Sequence, residues 1–341
     1  MILIFSYVGD ISTDLVVEWL NFYQYPVYRI NSSLFFESKV SIDINNQNLL
    51  IDGQIIQLNK INAIWFRKFG LKKDFKYFKI KNINFKYAFQ LHEEHRIVFD
   101  TLLYILKDKH WLTNPDKSQL NKGKVLLDAL KCGLMVPRSI FTNNRNDALG
   151  FLSHSEGIYK SAYDSVFIDK NNSTYTMYTK CVNHKTLTSR TLPDIFSTSL
   201  IQSKISKQYE IRIFFLRGTF YSMAIMSQND TQTRDDFRNY NWERPNRTIP
   251  YKLPPKIENK LKRLLLITGL NCASIDMIYD SNGEYIFLEI NPVGQFGMID
   301  FPCNYNLNKK IAQELIKMDK IWNVKNIFFS VCLKVTENSS H

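Results

Sequence analysis

Cysteine is scarce in this sequence, and no two cysteines form a CxxC pair. The five that occur are isolated along 341 residues: Cys132, Cys181, Cys272, Cys303 and Cys332. An odd number of scattered cysteines favours free thiols in a reducing compartment over a disulfide framework. We therefore expect a cytoplasmic protein.

Long hydrophobic runs are also lacking. No apolar run approaches the roughly 18 residues that a membrane-spanning helix needs. The N-terminal stretch "MILIFSYVGD" is apolar but short, with neither a basic flank nor a cleavage site. It is more typical of a first β-strand than of a signal peptide. We expect no membrane partner.

Acidic residues are the minority among the charged residues. The chain has 44 Lys and Arg against 32 Asp and Glu, a net charge of +12. This balance favours an anionic partner, such as a nucleotide, an acidic peptide, an anionic lipid or nucleic acid. The segment "DDFRNYNWERPNR" mixes arginine with aromatics as single-strand-binding proteins do. The acidic pair Asp235–Asp236 disfavours nucleic acid, so binding of a substrate carboxylate by Arg234 or Arg238 fits better.

Hydrophobic patterning divides the chain into contrasting regions. "MILIFSYV" predicts a strand, and "TDLVVEWLNFY" predicts a helix capped by Thr13 or Asp14. With the strands "PVYRIN" and "AIWFRKF", these make the first 80 or so residues a small α/β unit with parallel pairing. Residues 150–200 are polar and β-rich. From Ile201 onward, alternation in "EIRIFFLRG" and "TFYSMAIMS" predicts a longer sheet.

The stretch "SIDMIYDSNGEYIFLEINPVGQF" places acidic residues inside an apolar, strand-like run. Asn282-Gly283 is a strong signal for a two-residue hairpin turn. Such a turn pairs Asp276 with Glu289 across the strands, and Asn291 shares their face. The other face then carries apolar residues: Ile286, Leu288 and Ile290.

Two carboxylates held this close repel each other, so a cation or a shared proton must offset the repulsion. Asp276, Glu289 and Asn291 offer only hard oxygen ligands, which suit Mg²⁺ or Mn²⁺ better than zinc. Magnesium with few protein ligands usually completes its shell with phosphate oxygens. The alternative is a surface hairpin whose polar face merely meets water.

The D-(x12)-E-x-N hairpin resembles the metal site of ATP-grasp ligases. "NKGKVLLDALKCGLMVPRSIFTN" is similar to the segment that leads into the lid of that fold, and "QSKISKQYEIRIFFLRG" to its hinge and following strand. "WFRKFG" and "DDFRNYN" further resemble the ATP-grasp enzymes that mature ribosomal peptides. These are the microviridin-type or graspetide ω-ester synthetases, and the chain is most like their grasp-with-spasm type.

The resemblance implies an α/β (α+β) ATP-grasp fold. An N-terminal α/β pre-ATP-grasp domain over residues 1–115 would precede a small lid domain over 116–200. A C-terminal antiparallel-sheet domain with the metal site would cover 201–328, and 329–341 would form a tail. ATP and two Mg²⁺ ions are the implied cofactors.

The resemblance also implies roles for individual residues. Lys122 and Lys160 would contact phosphates, and the hinge at Gln202, Lys204 and Ile205 would meet the adenine. Glu210 would accept hydrogen bonds from the ribose, and Arg212 would be catalytic. Asp276, Glu289 and Asn291 would hold the metal. Candidates for substrate binding are Arg67, Arg234, Asp236 and Arg238. The lid segment lacks the glycines common in the fold, and Ser161 or Ser165 could replace their contacts.

The implied reaction is macrocyclisation. ATP would activate Asp or Glu side chains of a precursor peptide, which has a leader and an acidic core, and Ser or Thr hydroxyls would then form ω-esters. A Lys nucleophile, giving an amide, stays open, as does a glutamate-ligase-like enzyme acting on amino acids or a protein tail. A non-catalytic nucleotide- or peptide-binding module is a further alternative. Homodimerisation is implied by the resemblance alone.

Overall fold

The computed structural model describes residues 1–69, 84–163, 167–170, 173–176, 180–188, 193–234, 237, 239 and 241–321. The chain forms two compact units. One comprises Met1–Ser118 with the chain from Asn306 onward, and the other comprises Gln119–Tyr305. The sequence did not indicate that residues 306–321 group with the N-terminal unit. The domain boundaries expected from the sequence stay a prediction.

The N-terminal unit contains a parallel sheet in the order β2-β1-β6-β7. Its strands are β1 (Ile2–Ser6), β2 (Val27–Asn31), β6 (Ala63–Phe66) and β7 (His110–Leu112). Every residue of β1 is buried, as expected for a parallel strand covered on both faces. The parallel pairing that the sequence predicts for this region is confirmed.

A small antiparallel sheet, which the sequence analysis missed, belongs to the same unit. It comprises β3 (Val40–Asp43), β4 (Asn48–Ile51) and β5 (Gln54–Gln57). The helices of the unit are α1 (Ile11–Phe22), α2 (Ser32–Glu37), α3 (Phe85–Ile105) and a last helix over residues 307–321. The cap expected at Thr13 or Asp14 is wrong. Asp10 is the N-cap, and the Thr13 amide already donates to its carbonyl.

The second unit contains two larger sheets. The lid sheet, in the order β12-β9-β13-β8, comprises β8 (Ser139–Asn144), β9 (Gly157–Ser161), β12 (Lys180–Val182) and β13 (Ile195–Ser203). A separate hairpin pairs β10 (Phe167–Lys170) with β11 (Ser173–Thr176). The main sheet, in the order β16-β15-β14-β17-β18, comprises β14 (Lys207–Leu216), β15 (Thr219–Met226), β16 (Arg247–Tyr251), β17 (Cys272–Asp280) and β18 (Tyr285–Asn291).

Two helices pack against one face of the main sheet. The helices of the unit are α4 (Lys122–Lys131), α5 (Arg145–Phe151), α6 (His184–Thr188), α7 (Pro255–Thr268) and α8 (Gly297–Cys303). Side chains of α4 and α7 form one apolar core with alternate residues of β14, β17 and β18. On the opposite face, Glu210, Arg212 and Asp276 build a polar site. The mixed α/β architecture with an antiparallel C-terminal sheet is confirmed.

The structure bears on two expectations, one about free cysteines and one about membrane-spanning helices. Four cysteines in the described residues are free thiols: Cys132, Cys181, Cys272 and Cys303. None of the helices in the described part of the chain combines the length and hydropathy that a membrane crossing requires.

Candidate active site

The β17–β18 hairpin pairs the two predicted metal-binding carboxylates. Asp276 lies opposite Glu289, and Ser274 lies opposite Asn291. The predicted two-residue turn is wrong. The Asp280 amide donates to the Glu284 carbonyl, so three residues form the loop, with Gly283 at φ +84°. Because the loop is one residue longer than predicted, the cross-strand pairs near the turn are shifted by one residue from the predicted register. An extra residue in β18 brings the strands back to the predicted register at Glu289.

That extra residue is Leu288, which makes a β-bulge. Met277 pairs with Phe287 and Asp276 with Glu289, which leaves Leu288 between the two pairs. The expectation that Ile286, Leu288 and Ile290 share a core face is therefore wrong. Phe287 and Ile290 enter the apolar core, whereas Leu288 lines the cleft described below. The bulge changes the face because side chains alternate only in an unbroken strand.

Arg212 on β14 faces Asp276 directly across the strands. Its Nη1 contacts both carboxylate oxygens of Asp276, at 2.5 Å for Oδ1. The side chain is buried, and its Nε has no hydrogen-bond partner in the described residues. A buried guanidinium beside two carboxylates offsets their mutual repulsion and keeps a donor for an anion.

Glu210 lies two residues earlier on the same face of β14. Lys207 Nζ forms an ion pair with its Oε1, and Ser227 Oγ donates to the same oxygen at 2.9 Å. Burial raises the pKa of Glu210 above its ordinary value, although the charge of Lys207 opposes the rise. The result is a buried carboxylate held at one oxygen.

The lid sheet supplies the opposite wall. Lys160 lies on β9 and Gln202 on β13, where Gln202 Nε2 donates to Ser139 Oγ at 3.0 Å. The chain then crosses to β14, and the Lys204 amide donates to the Glu156 carbonyl at 3.0 Å. Ile205 lies in this connection and lines the cleft. The backbone of the hinge is therefore fixed by hydrogen bonds to the lid.

A single cleft of about 700 Å³, open solvent included, brings half of the fourteen predicted site residues together. Those lining it are Lys160, Gln202, Ile205, Glu210, Arg212, Asp276 and Glu289. Further residues that line it, none of them predicted as a site residue, are Pro137, Ile158, Lys207, Phe237, Ile278 and Leu288. The aliphatic members give the cleft apolar walls at its hinge end, and the charged members lie on β9, β14, β17 and β18.

Some predicted residues lie outside this cleft. Lys122 Nζ donates to the Ser161 carbonyl at 2.9 Å, which ties α4 to the end of β9. Lys204 and Arg234 line a second, adjoining cleft, and Lys204 Nζ pairs with Glu156 at 3.1 Å. The structure thus shows neither lysine pointing into the first cleft.

Arg67 belongs to the N-terminal unit. It is almost fully buried and pairs with Asp10 at 2.6 Å, so its predicted role in substrate binding stays a prediction. Three candidates lie outside the described residues: Asp236, Arg238 and Ser165.

The donor set of the hairpin fits magnesium. Asp276 and Glu289 are adjacent across two strands, and both line the cleft. Asn291 lies further along β18, where its Oδ1 accepts the Val293 amide at 3.1 Å and retains a second lone pair. Carboxylate and amide oxygens are ligands that Mg²⁺ prefers, and neither histidine nor cysteine lines the cleft in the described residues.

The fold of this chain is similar to that of known proteins. Residues 1–119 match the family model of the MvdD pre-ATP grasp domain. The RiPP-associated ATP-grasp ligase of Chryseobacterium gregarium, solved with ADP and a leader and core peptide, is 26% identical. Its TM-score is 0.80, over 93% of this chain and 96% of that one. No curated protein matches the chain.

Two further solved structures are similar. The macrocyclase MdnC of Microcystis aeruginosa MRC, bound with precursor peptide MdnA, is 25% identical with a TM-score of 0.77, over 93% of this chain and 99% of that one. The ATP-grasp ligase PsnB, complexed with minimal precursor, Mg and ADP, is 18% identical with a TM-score of 0.76, over 93% and 97%. The chain is therefore an ATP-grasp ligase. Within that class it resembles the maturases of ribosomally made peptides.

Proposed function

We propose that this ligase is an ATP-dependent macrocyclase of a ribosomal precursor peptide. The observation that carries the proposal is the cleft that is lined by Asp276, Glu289, Arg212 and Lys160. This arrangement can hold a magnesium nucleotide with its phosphates between fixed cations. The peptide as substrate is supported by the likeness to two ligases solved with precursor, leader or core peptides.

The proposed reaction has two steps. A carboxylate oxygen of a peptide Asp or Glu attacks the γ-phosphorus of ATP, the bond to the bridging oxygen breaks, and ADP leaves. A Ser or Thr hydroxyl then attacks the acyl carbon, loses its proton, and inorganic phosphate departs. The products are an ω-ester, ADP and phosphate.

Residues of the chain would act by binding and charge stabilisation. Bound magnesium would supply positive charge to the phosphates, held by Asp276, Glu289 and Asn291. Lys160, which lines the cleft, would contact phosphate oxygens, and the buried Arg212 would offer donors to the anionic acyl phosphate. Lys122 would contact phosphates only if it left the Ser161 carbonyl. The hinge at Gln202, Lys204 and Ile205 would hold the adenine.

The partners proposed are a leader and an acidic core peptide. The net charge of +12 favours such a substrate, and Arg234 lines the adjoining cleft. Arg67, Asp236 and Arg238 remain candidates for the same task. A second copy of the chain, a second magnesium ion and a cytoplasmic location also belong to this proposal.

The test is incubation with ATP, magnesium and acidic peptides that contain Ser or Thr. We expect peptide-dependent ADP release and loss of one water per ring by mass spectrometry. Mild alkali should reopen an ester, whereas a ring closed by Lys survives as an amide. Release of ADP without any change in peptide mass would refute macrocyclisation, and a ring that resists alkali would replace the ester with the amide.

A further inference from the structure

Lys207 has a nearly buried side chain, and it was not among the predicted site residues. Its side chain is 8% exposed, and its ammonium forms an ion pair with Oε1 of Glu210. It lines both the main cleft and the adjoining one. Lysine is rarely buried without a partner, so this contact accounts for its position.

The backbone explains why Lys207 reaches Glu210. In a regular strand, residues three apart point to opposite faces. The pairing of β14 with β17 shifts by one residue between Lys207 and Tyr209, and this irregularity brings Lys207 to the face of Glu210. An interrupted strand therefore places a fixed cation beside the carboxylate.

A chain of hydrogen bonds holds Glu210 from the other side. Gln228 Nε2 donates to Ser227 Oγ at 3.2 Å, and Ser227 Oγ donates to Glu210 Oε1 at 2.9 Å. Ser227 itself is fully buried, and its carbonyl accepts the hydroxyl of Thr233 at 3.1 Å. In the described residues, both partners of Glu210 use Oε1 and neither uses Oε2.

We propose that Lys207 is a positioning residue that fixes Glu210 with Oε2 directed to the ribose hydroxyls of the nucleotide. Lys207 would thereby set the preference for ribonucleotides over deoxyribonucleotides. This inference rests on the proposed use of ATP by the same cleft. The chemistry is simple, because an ionised carboxylate accepts hydrogen bonds only and a ribose diol offers two donors. A carboxyl that is protonated or free to rotate loses this selectivity.

The test compares the binding of ATP and 2′-deoxy-ATP, in the presence of magnesium, by isothermal titration calorimetry. We expect the unmodified protein to bind ATP at least about tenfold more tightly than 2′-deoxy-ATP, since hydrogen bonds to a charged group are strong. In Lys207→Met this ratio should fall towards one. Lys207→Arg should restore most of it, because a cation again faces Glu210.

A double-mutant cycle separates positioning from direct contact. Glu210→Gln should also abolish the ratio, and the double variant Lys207→Met/Glu210→Gln should lose nothing further. If Lys207 instead contacts a phosphate, Lys207→Met weakens both nucleotides equally and leaves the ratio unchanged. That result would overturn the inference while ATP binding, and with it the proposed function, survives.

Two further measurements protect the test against misfolding. Ser227→Ala removes the second donor to Glu210 Oε1 and should lower the ratio without burying a new charge. Lys262→Met, on the exposed face of α7, removes the same charge away from the cleft and should leave the ratio unchanged. An unmodified protein that binds both nucleotides equally contradicts the inference without any variant. Absence of ATP binding would refute the proposed function itself.

Discussion

Two buried carboxyl groups, Asp10 in the N-terminal unit and Glu210 in the main sheet, differ in the direction of their pKa shifts. Burial alone would raise the pKa of Asp10, but the charge and hydrogen bonds of Arg67 hold this pKa below its ordinary value. For Glu210, burial prevails over the charge of Lys207, and the pKa is raised. The hydrogen bond of Thr13 and the charge of Lys68 also lower the pKa of Asp10, whereas the charge of Asp276 raises that of Glu210 further.

Asp10 is enclosed by donors. Arg67 Nε contacts Oδ2 at 2.6 Å, and Thr13 Oγ1 donates to the same oxygen at 2.7 Å. Ser6 Oγ adds a third donor to Oδ2 at 3.3 Å. In the described residues, Glu210 contacts one cation and one hydroxyl, and it lines a cleft. The closed arrangement stabilises the fold, whereas the open one leaves an acceptor for a ligand.

The largest expected effect is on stability. Arg67→Met leaves Asp10 as a buried, uncompensated charge and should lower the free energy of unfolding by about 3–5 kcal/mol. Differential scanning calorimetry measures this. Arg96→Met, on the exposed face of α3, is the control and should change little. Equal effects of the two substitutions would show that the Arg67–Asp10 pair is not structural.

The cleft should show the opposite behaviour. Glu289→Gln should leave the unfolding transition nearly unchanged, since the side chain is only half-buried, and should reduce peptide-dependent ADP release about a hundredfold or more. ADP release, followed by a coupled assay, and thermal unfolding are both measured on the same protein preparation. Retained turnover would remove Glu289 from the proposed metal site.

A smaller effect is expected from removing the Thr13 hydroxyl that donates to Asp10. Thr13→Val deletes a donor to a charged group and should cost about 1.5–3 kcal/mol of unfolding free energy. Ser227→Ala, the matched change beside Glu210, should cost less because a carboxyl with a raised pKa tolerates protonation. Urea unfolding compares the two. A larger loss from Ser227→Ala would reverse the comparison.

The smallest expected effect is the slope of stability with pH. Asp10 stabilises the fold above its ordinary pKa of 3.8, and this contribution is lost as the pH falls through its lowered pKa. Glu210 does the reverse: its contribution is fully present below 4.5 and is lost as the pH rises from there through its raised pKa. Urea midpoints between about pH 3 and 6 should show that Asp10→Asn and Glu210→Gln remove slopes of opposite sign. Slopes of the same sign would contradict the assignment.

The hairpin shows how far the sequence could predict the site. The pairing of Asp276 with Glu289 is confirmed, although the two-residue turn that led to it is wrong. The three-residue loop and the bulge at Leu288 cancel each other. Neither is evident from the sequence, because Asn-Gly also occurs in longer turns and an apolar leucine gives no sign of a bulge.

Lys207 illustrates what the sequence could not provide. Alternation along β14 correctly separated Glu210 and Arg212 from the core residues Ile211 and Ile213. The same alternation would place Lys207 in the core, and only the irregular pairing at the start of the strand moves it to the cleft. Departures from strand periodicity depend on the partner strand, so local pattern does not reveal them.

The bulge at Leu288 also determines which part of the hairpin can change length. An insertion or deletion in the turn between Asp280 and Glu284 first changes the cross-strand pairing next to the turn, at Tyr279 and Tyr285. The bulge can gain or lose a residue before the strand reaches Glu289. The pairing of Asp276 with Glu289 therefore does not depend on the length of the loop. Protein engineers could therefore graft a recognition loop onto this turn without disturbing the carboxylates.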